Sequence, residues 1–195
     1  MLLPLRDGFS IEVPASGAGS MASHYLSVGT TIVESPRLLL NLGVLLGLVP
    51  CAVGGRLGTP ISEWEKGSFL YKQLLRRAKV ARRAGGSIRA LLWYQGESDT
   101  VSEVDANMYK RRLLKLFNNL RADLKSPSLA ILEVAIASAN GPYIEKVRKA
   151  QLGIKLKNVK CVDAKGLPLQ QDQRHLTTSA QVRLGQMLAD VSLPF

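Results

Sequence analysis

From Val44 to the C-terminus the chain alternates short apolar runs with stretches where apolar residues recur every three or four positions. The first kind suits buried strands, the second helices with one apolar face. Val44-Leu45-Leu46-Gly47-Leu48-Val49-Pro50 reads as a buried strand, and Gly54-Gly55 as the turn after it. Leu70, Leu74 and Ala78, flanked by Tyr71 and Leu75, form a helical stripe that Gly85-Gly86 stops. Ile88 to Tyr94 is the next strand. Ser102 and Asp105 are spaced as a capping box, opening a helix whose stripe is Tyr109, Leu113, Leu116, Leu120 and Leu124. Leu129 to Ala137 is a third strand, Asn140-Gly141-Pro142 a turn, and 143–156 a helical stretch. Val159 to Val162 makes a short fourth strand before a last helix from Thr178 to Val191. This order predicts an α/β domain of three layers, α/β/α, around a mostly parallel sheet.

The pattern divides the chain into an N-terminal segment, 1–35, whose structure it leaves unassigned, and a domain over 36–195. One plausible strand, Phe9-Ser10-Ile11-Glu12-Val13, precedes a small-residue stretch from Pro14 to Ser23. A length of 195 residues suits one domain with a packed core. The net charge of +11 favours loose attraction to anionic surfaces and says nothing about fold. The densest cations, Arg76, Arg77, Lys79, Arg82 and Arg83, read as a solvated helix face, so no specific nucleic acid partner is expected.

Two cysteines, Cys51 and Cys161, make neither a disulfide framework nor a zinc site, and read as buried thiols. No metal is expected. Residues 38–55 carry no charge, but Asn41, Pro50 and four glycines argue against a membrane span. The start, Met1 to Asp7, is too short for a signal core, which favours a reducing, cytoplasmic location.

Two polar clusters carry the chemistry. Trp93-Tyr94-Gln95-Gly96-Glu97-Ser98-Asp99 follows a buried strand, where sites lie in open α/β sheets. Asp172-Gln173-Arg174-His175-Leu176-Thr177-Thr178 lies just before the last helix. The three-residue spacing lets Asp172 reach one imidazole nitrogen of His175 and leaves the other for a hydroxyl. On residue types alone, the two could equally be capping groups. Gly54-Gly55 could present bare backbone N–H groups to an oxyanion or simply make a tight turn. Gln95 and Glu97 could likewise be caps.

Taken together, these stretches resemble the SGNH hydrolase superfamily, specifically plant carbohydrate esterases of the sialate O-acetylesterase type. The resemblance runs from about Leu46 to the C-terminus, and Glu63-Trp64-Glu65, Val147 to Gly153 and Val162 to Pro168 also agree with it. It implies an SGNH-hydrolase (flavodoxin-like) fold and removal of acetyl groups from acylated sugars by serine-type acyl transfer, with no cofactor. It further implies that His175 is the base, Asp172 its orienter, Gly55 and Gln95 the oxyanion donors, and Glu97 a loop-organising or substrate-binding residue.

The sequence departs from that family twice. The family's nucleophile stands in a Gly-Gln-Ser-Asn-Met block, and this sequence has no such run. The nearest echo, Gly19-Ser20-Met21-Ala22, lacks the Gln and the Asn, so Ser20 is a weak nucleophile candidate and neighbouring Ser16 another. Second, Arg56-Leu57-Gly58 is inserted between Gly55 and Thr59. The expectation is therefore an esterase domain whose first strand is missing or replaced, with impaired turnover. The alternatives are an inactive acetyl-sugar-binding or regulatory protein, or an incomplete gene product. A missing interior strand would also leave a sheet edge open to self-association unless 9–13 filled it.

Overall fold

The computed structural model describes residues 29–31, 47–53 and 58–192. Among these described residues, four strands form one sheet in the order β1 (Gly29–Thr31), β2 (Ala90–Tyr94), β3 (Ala130–Ala135), β4 (Val159–Asp163). Strands β2, β3 and β4 are parallel, with Trp93 beside Glu133 and Glu133 beside Cys161. All residues of β2 and β3 are buried, as strands covered on both faces must be. Helices α1 (Phe69–Arg83), α2 (Glu103–Asp123), α3 (Ile144–Leu152) and α4 (Thr178–Ser192) complete the domain.

Register decides the layers. Trp93 lies edge-on to Phe117 of α2, and Asp163 binds Arg148 of α3, so these helices cover the face carrying Trp93, Glu133, Cys161 and Asp163. Helix α4 packs on β3 and β4 with Ala180, Leu184 and Leu188 buried. The result is the three-layer α/β/α arrangement that the alternation of elements predicts.

The helix boundaries follow local chemistry. The Ser68 hydroxyl accepts the Tyr71 N–H at the start of α1, and the Ser102 hydroxyl accepts that of Asp105 at the start of α2. Helix α3 ends at Leu152, short of the expected 156, because Gly153 closes it onto the Lys149 carbonyl. The six cations of α1 that include Arg76, Arg77, Lys79, Arg82 and Arg83 lie on its exposed side.

The expected strand over 44–50 needs correction. Its described part, 47–50, has no regular structure, and Leu48 is 47% exposed. A strand requires a ladder neighbour, and β2 spends its outer edge on β1 instead, with Gly29 opposite Tyr94 and Thr31 opposite Leu92, antiparallel. Pro50 contributes no N–H to any ladder, and its carbonyl accepts from Arg77. The Phe9–Val13 strand lies outside the described residues. Cys51 is buried and its thiol is pushed up to about 11; Cys161 is only half-buried, its thiol raised by burial to about 12.

Glu133 breaks the apolar pattern of β3. It is fully buried, and neither carboxyl oxygen has a hydrogen-bond partner. Burial pushes its carboxyl well above the ordinary range and so favours its neutral form. A raised carboxyl lends stability below its unfolded value and loses it as pH rises through the folded one. Replacing Glu133 with Met removes both orphaned oxygens at similar volume. Stability at about pH 8 is expected to rise by about 2 kcal/mol, and the gain to shrink toward about pH 4.5. Urea melts of both proteins at the two pH values check the size and the direction.

Candidate active site

The site is built on the carboxyl ends of the parallel strands, where β2 runs into Gln95-Gly96-Glu97 and β3 into Ile136-Ala137-Ser138. Gly96 is required for the first turn. Its φ is +137°, and a Cβ there would lie 3.0 Å from Val147 Cγ1 and 3.1 Å from both Tyr109 Oη and Gln151 Nε2. Gly141 is required in the second loop, since a Cβ would come within 2.5 Å of the Thr100 carbonyl oxygen and of Val101 Cα.

Thr100, fully buried, laces these two loops together. Its hydroxyl donates to the Glu97 carbonyl (2.6 Å) and accepts from the N–H groups of Asn140 (3.1 Å) and Gly141 (2.9 Å). Its own carbonyl accepts the Tyr143 N–H. From beneath, the buried Gln151 side chain accepts the Ile136 N–H and donates to the Gln95 carbonyl. Helix α3 thus braces both loops. Arg148, on the same helix, donates from Nη1 to the Ile136 carbonyl and from Nη2 to both oxygens of Asp163 (2.7 and 2.9 Å), a charged tie to the end of β4.

The Asp172–His175 loop arrives at this edge from the other side. The Ser138 hydroxyl donates to the Arg174 carbonyl (2.7 Å), pinning the loop to the end of β3. Its base is closed by the Leu169–Leu176 bridge and the Gln170 N–H on the His175 carbonyl. Within the loop, one oxygen of Asp172 accepts the N–H groups of Arg174 (2.9 Å) and His175 (3.0 Å). The other lies 2.5 Å from His175 Nδ1. The Arg174 N–H, then the imidazole and N–H of His175, hold the Asp172 carboxyl down at about 2. It is therefore ionised throughout the neutral range and oriented toward the ring by two backbone donors. Both side chains are exposed, His175 at 47% and Asp172 at 43%.

Glu97 is half-buried, and burial raises its carboxyl above the usual range. Its own N–H, the nearby His175 and the Gly96 N–H act the other way. Gln95 is fully buried. Its Nε2 donates to the Thr59 carbonyl (2.8 Å) and to Asp99 (2.6 Å), while its Oε1 accepts from Tyr109 (3.1 Å). An oxyanion would have to take over one of those two amide hydrogens.

The structure brings Asp172 and His175 into contact, sets Glu97 within the electrostatic reach of His175, and buries Gln95 on Thr59, Asp99 and Tyr109. Gly55, Ser16 and Ser20 lie outside the described residues. Thr100, Ser138, Asp99 and Gln151 escape sequence reasoning as site-building residues. Each sits in a stretch that agrees with the family or follows a strand end, but only its partners across 36 to 56 residues of chain give it a role. Among the described residues, no cluster of three or more His, Cys, Asp or Glu could hold a metal ion, and no helix is long and apolar enough to cross a membrane.

A three-layer domain with an Asp–His pair on its last loop and Gln-Gly-Glu at a strand end has the layout of an SGNH-type hydrolase. The family model "Carbohydrate esterase, sialic acid-specific acetylesterase" matches residues 21–193, and the chain belongs to that family. It is 57% identical over 149 residues to an Arabidopsis thaliana protein named "Probable carbohydrate esterase At4g34215", covering 76% of this chain and 56% of that one. The 1.6 Å X-ray structure of the Arabidopsis thaliana AT4G34215 protein superposes with a TM-score of 0.68 at 57% identity, over 70% of this chain and 57% of that one. The chain thus spans little more than half the length of the relative it matches.

Proposed function

We propose that this domain acts on acetyl esters of sugars, and that His175 is the general base of a serine-type acyl transfer with Asp172 as its orienter. The observation that carries this is the 2.5 Å contact of Asp172 with His175 Nδ1, on a loop tied to the strand ends by Ser138. With Nδ1 held, Nε2 is the nitrogen that takes the proton of an attacking hydroxyl and returns it to the leaving sugar oxygen. Gly55 and Gln95 are the proposed oxyanion donors, Gln95 by exchanging the Thr59 or Asp99 contact for the developing charge. Glu97, whose carboxyl feels the charge of His175, is proposed to hold the loop or meet the sugar.

The sequence contains no Gly-Gln-Ser-Asn-Met block, so turnover by these 195 residues is proposed to be impaired. A base and oxyanion donors without their nucleophile give only residual catalysis. The purified chain is expected to hydrolyse an activated acetyl ester no faster than a variant carrying Ser16→Ala and Ser20→Ala. Robust turnover that Ser20→Ala abolishes would make Ser20 the nucleophile instead. Tight binding of an acetylated sugar without turnover would favour the sugar-binding reading.

A further inference from the structure

Asp99 closes the Gln-Gly-Glu-Ser-Asp stretch, and its side chain is fully buried. Two groups donate to it. The Ile61 N–H straddles its two oxygens (3.1 and 3.0 Å), and Gln95 Nε2 donates to Oδ2 (2.6 Å). Both neighbours are donors, and both are uncharged. Among the described residues Asp99 has no ion pair. The cation whose charge acts on it, Arg112 of α2, is spent on Asp105 (2.7 Å) and Glu65 (3.2 Å). Asp105 opposes the charge of Asp99, and the buried Tyr109 phenol, close enough to feel that charge, donates to Gln95.

We propose that Asp99 is the positioning residue of this site: its carboxylate locks the Gln95 side chain to the Thr59–Ile61 segment, and taking up a proton loosens both. This rests on the esterase reading only for what the lock controls. Protonation removes the charge that strengthens both accepted bonds and leaves the Ile61 N–H and Gln95 Nε2 to share one neutral carbonyl oxygen, so both bonds weaken. Gln95 is otherwise fixed at its oxygen by Tyr109 and at one amide hydrogen by Thr59. Release by Asp99 makes the remaining amide hydrogen available, the one an oxyanion would need. Burial raises the Asp99 carboxyl to about 7, the Gln95 and Ile61 hydrogen bonds being too weak to hold it down. The lock is therefore closed above neutrality and opens below it.

The test needs no turnover, so its failure and the failure of the esterase reading are separable. In the full 15N-labelled chain, the Ile61 backbone N–H and the Gln95 side-chain amide are followed by NMR from about pH 5.5 to about 8.5. Both signals are expected to shift together with one midpoint near 7. In Asp99→Asn neither should move, and in His175→Ala both should keep that midpoint. Loosening also predicts that the protection of both amide hydrogens against solvent exchange falls below that midpoint, which a titrating but purely structural Asp99 would leave unchanged. Flat signals in the native chain, a joint shift that persists in Asp99→Asn, or one that disappears in His175→Ala each overturn the proposal. Should Asp99→Asn fail to fold, the native chain and His175→Ala decide it.

Discussion

In a version of this chain extended to carry a Gly-Gln-Ser-Asn-Met block, His175→Ala is expected to lower kcat on the order of a thousandfold, and Gln95→Ala about a hundredfold. A thousandfold is about 4 kcal/mol of transition-state stabilisation. The size follows from what the imidazole does twice in the cycle, accepting the proton of the hydroxyl and then delivering it to the leaving oxygen. Asp172 does not move the proton. Its depressed carboxyl stays charged, fixes the ring's tautomer through Nδ1, and steadies the imidazolium. His175 is exposed and its main-chain bonds do not depend on the ring, so the variant should melt close to the unsubstituted protein. Steady-state kinetics with an acetylated sugar, paired with thermal melts, check both halves. A rate left nearly unchanged would remove the base role from His175.

Arg121→Leu is expected to destabilise the domain by about 3 kcal/mol, with little direct effect on the site. Arg121 sits in the last turn of α2 and is only 8% exposed. Its guanidinium donates to the Leu129 carbonyl from Nε (3.1 Å) and Nη2 (2.8 Å). Nη2 also reaches the carbonyls of Lys157 (2.7 Å) and Asn158 (3.1 Å). One side chain thereby fastens the end of a helix to the chain entering β3 and the chain entering β4. Leucine fills part of the space but leaves three carbonyls without that donor. Two of them lie near the surface, where water can replace it, which keeps the cost near 3 kcal/mol rather than their full sum. Urea unfolding at neutral pH measures it, and a loss below about 1 kcal/mol would mean that water replaces all three bonds.

Much of the fold is legible in residue order. The run Leu91-Leu92-Trp93-Tyr94 can only be a strand covered on both sides, and β2 has that burial. Ser68, Ser102 and Gly153 mark helix ends by chemistry that acts over three or four residues, so boundaries at those points can be read locally. The strand over 44–50 misleads for the same reason that apolar runs usually do. Hydrophobicity records a tendency to be buried, whereas a strand also needs an edge with free ladder groups. The β2 edge is paired with Gly29–Thr31, a segment with no apolar signal at all.

The site divides along the same line. Asp172 and His175 are three residues apart, and a short loop brings a carboxylate to an imidazole whatever the rest of the chain does. Family membership and that pair therefore follow from residue order alone. Where the pair sits, and what stands opposite it, depends on contacts between residues tens of positions apart. Ser138 holds the loop, Thr100 and Gln151 align the strand ends, and Asp99 joins Gln95 to Ile61. A buried polar side chain must find a partner wherever the fold brings one within reach, and no spacing along the sequence encodes that distance. Local pairs can be read from order, but the frame that aims them exists only once the sheet and its covering helices have closed.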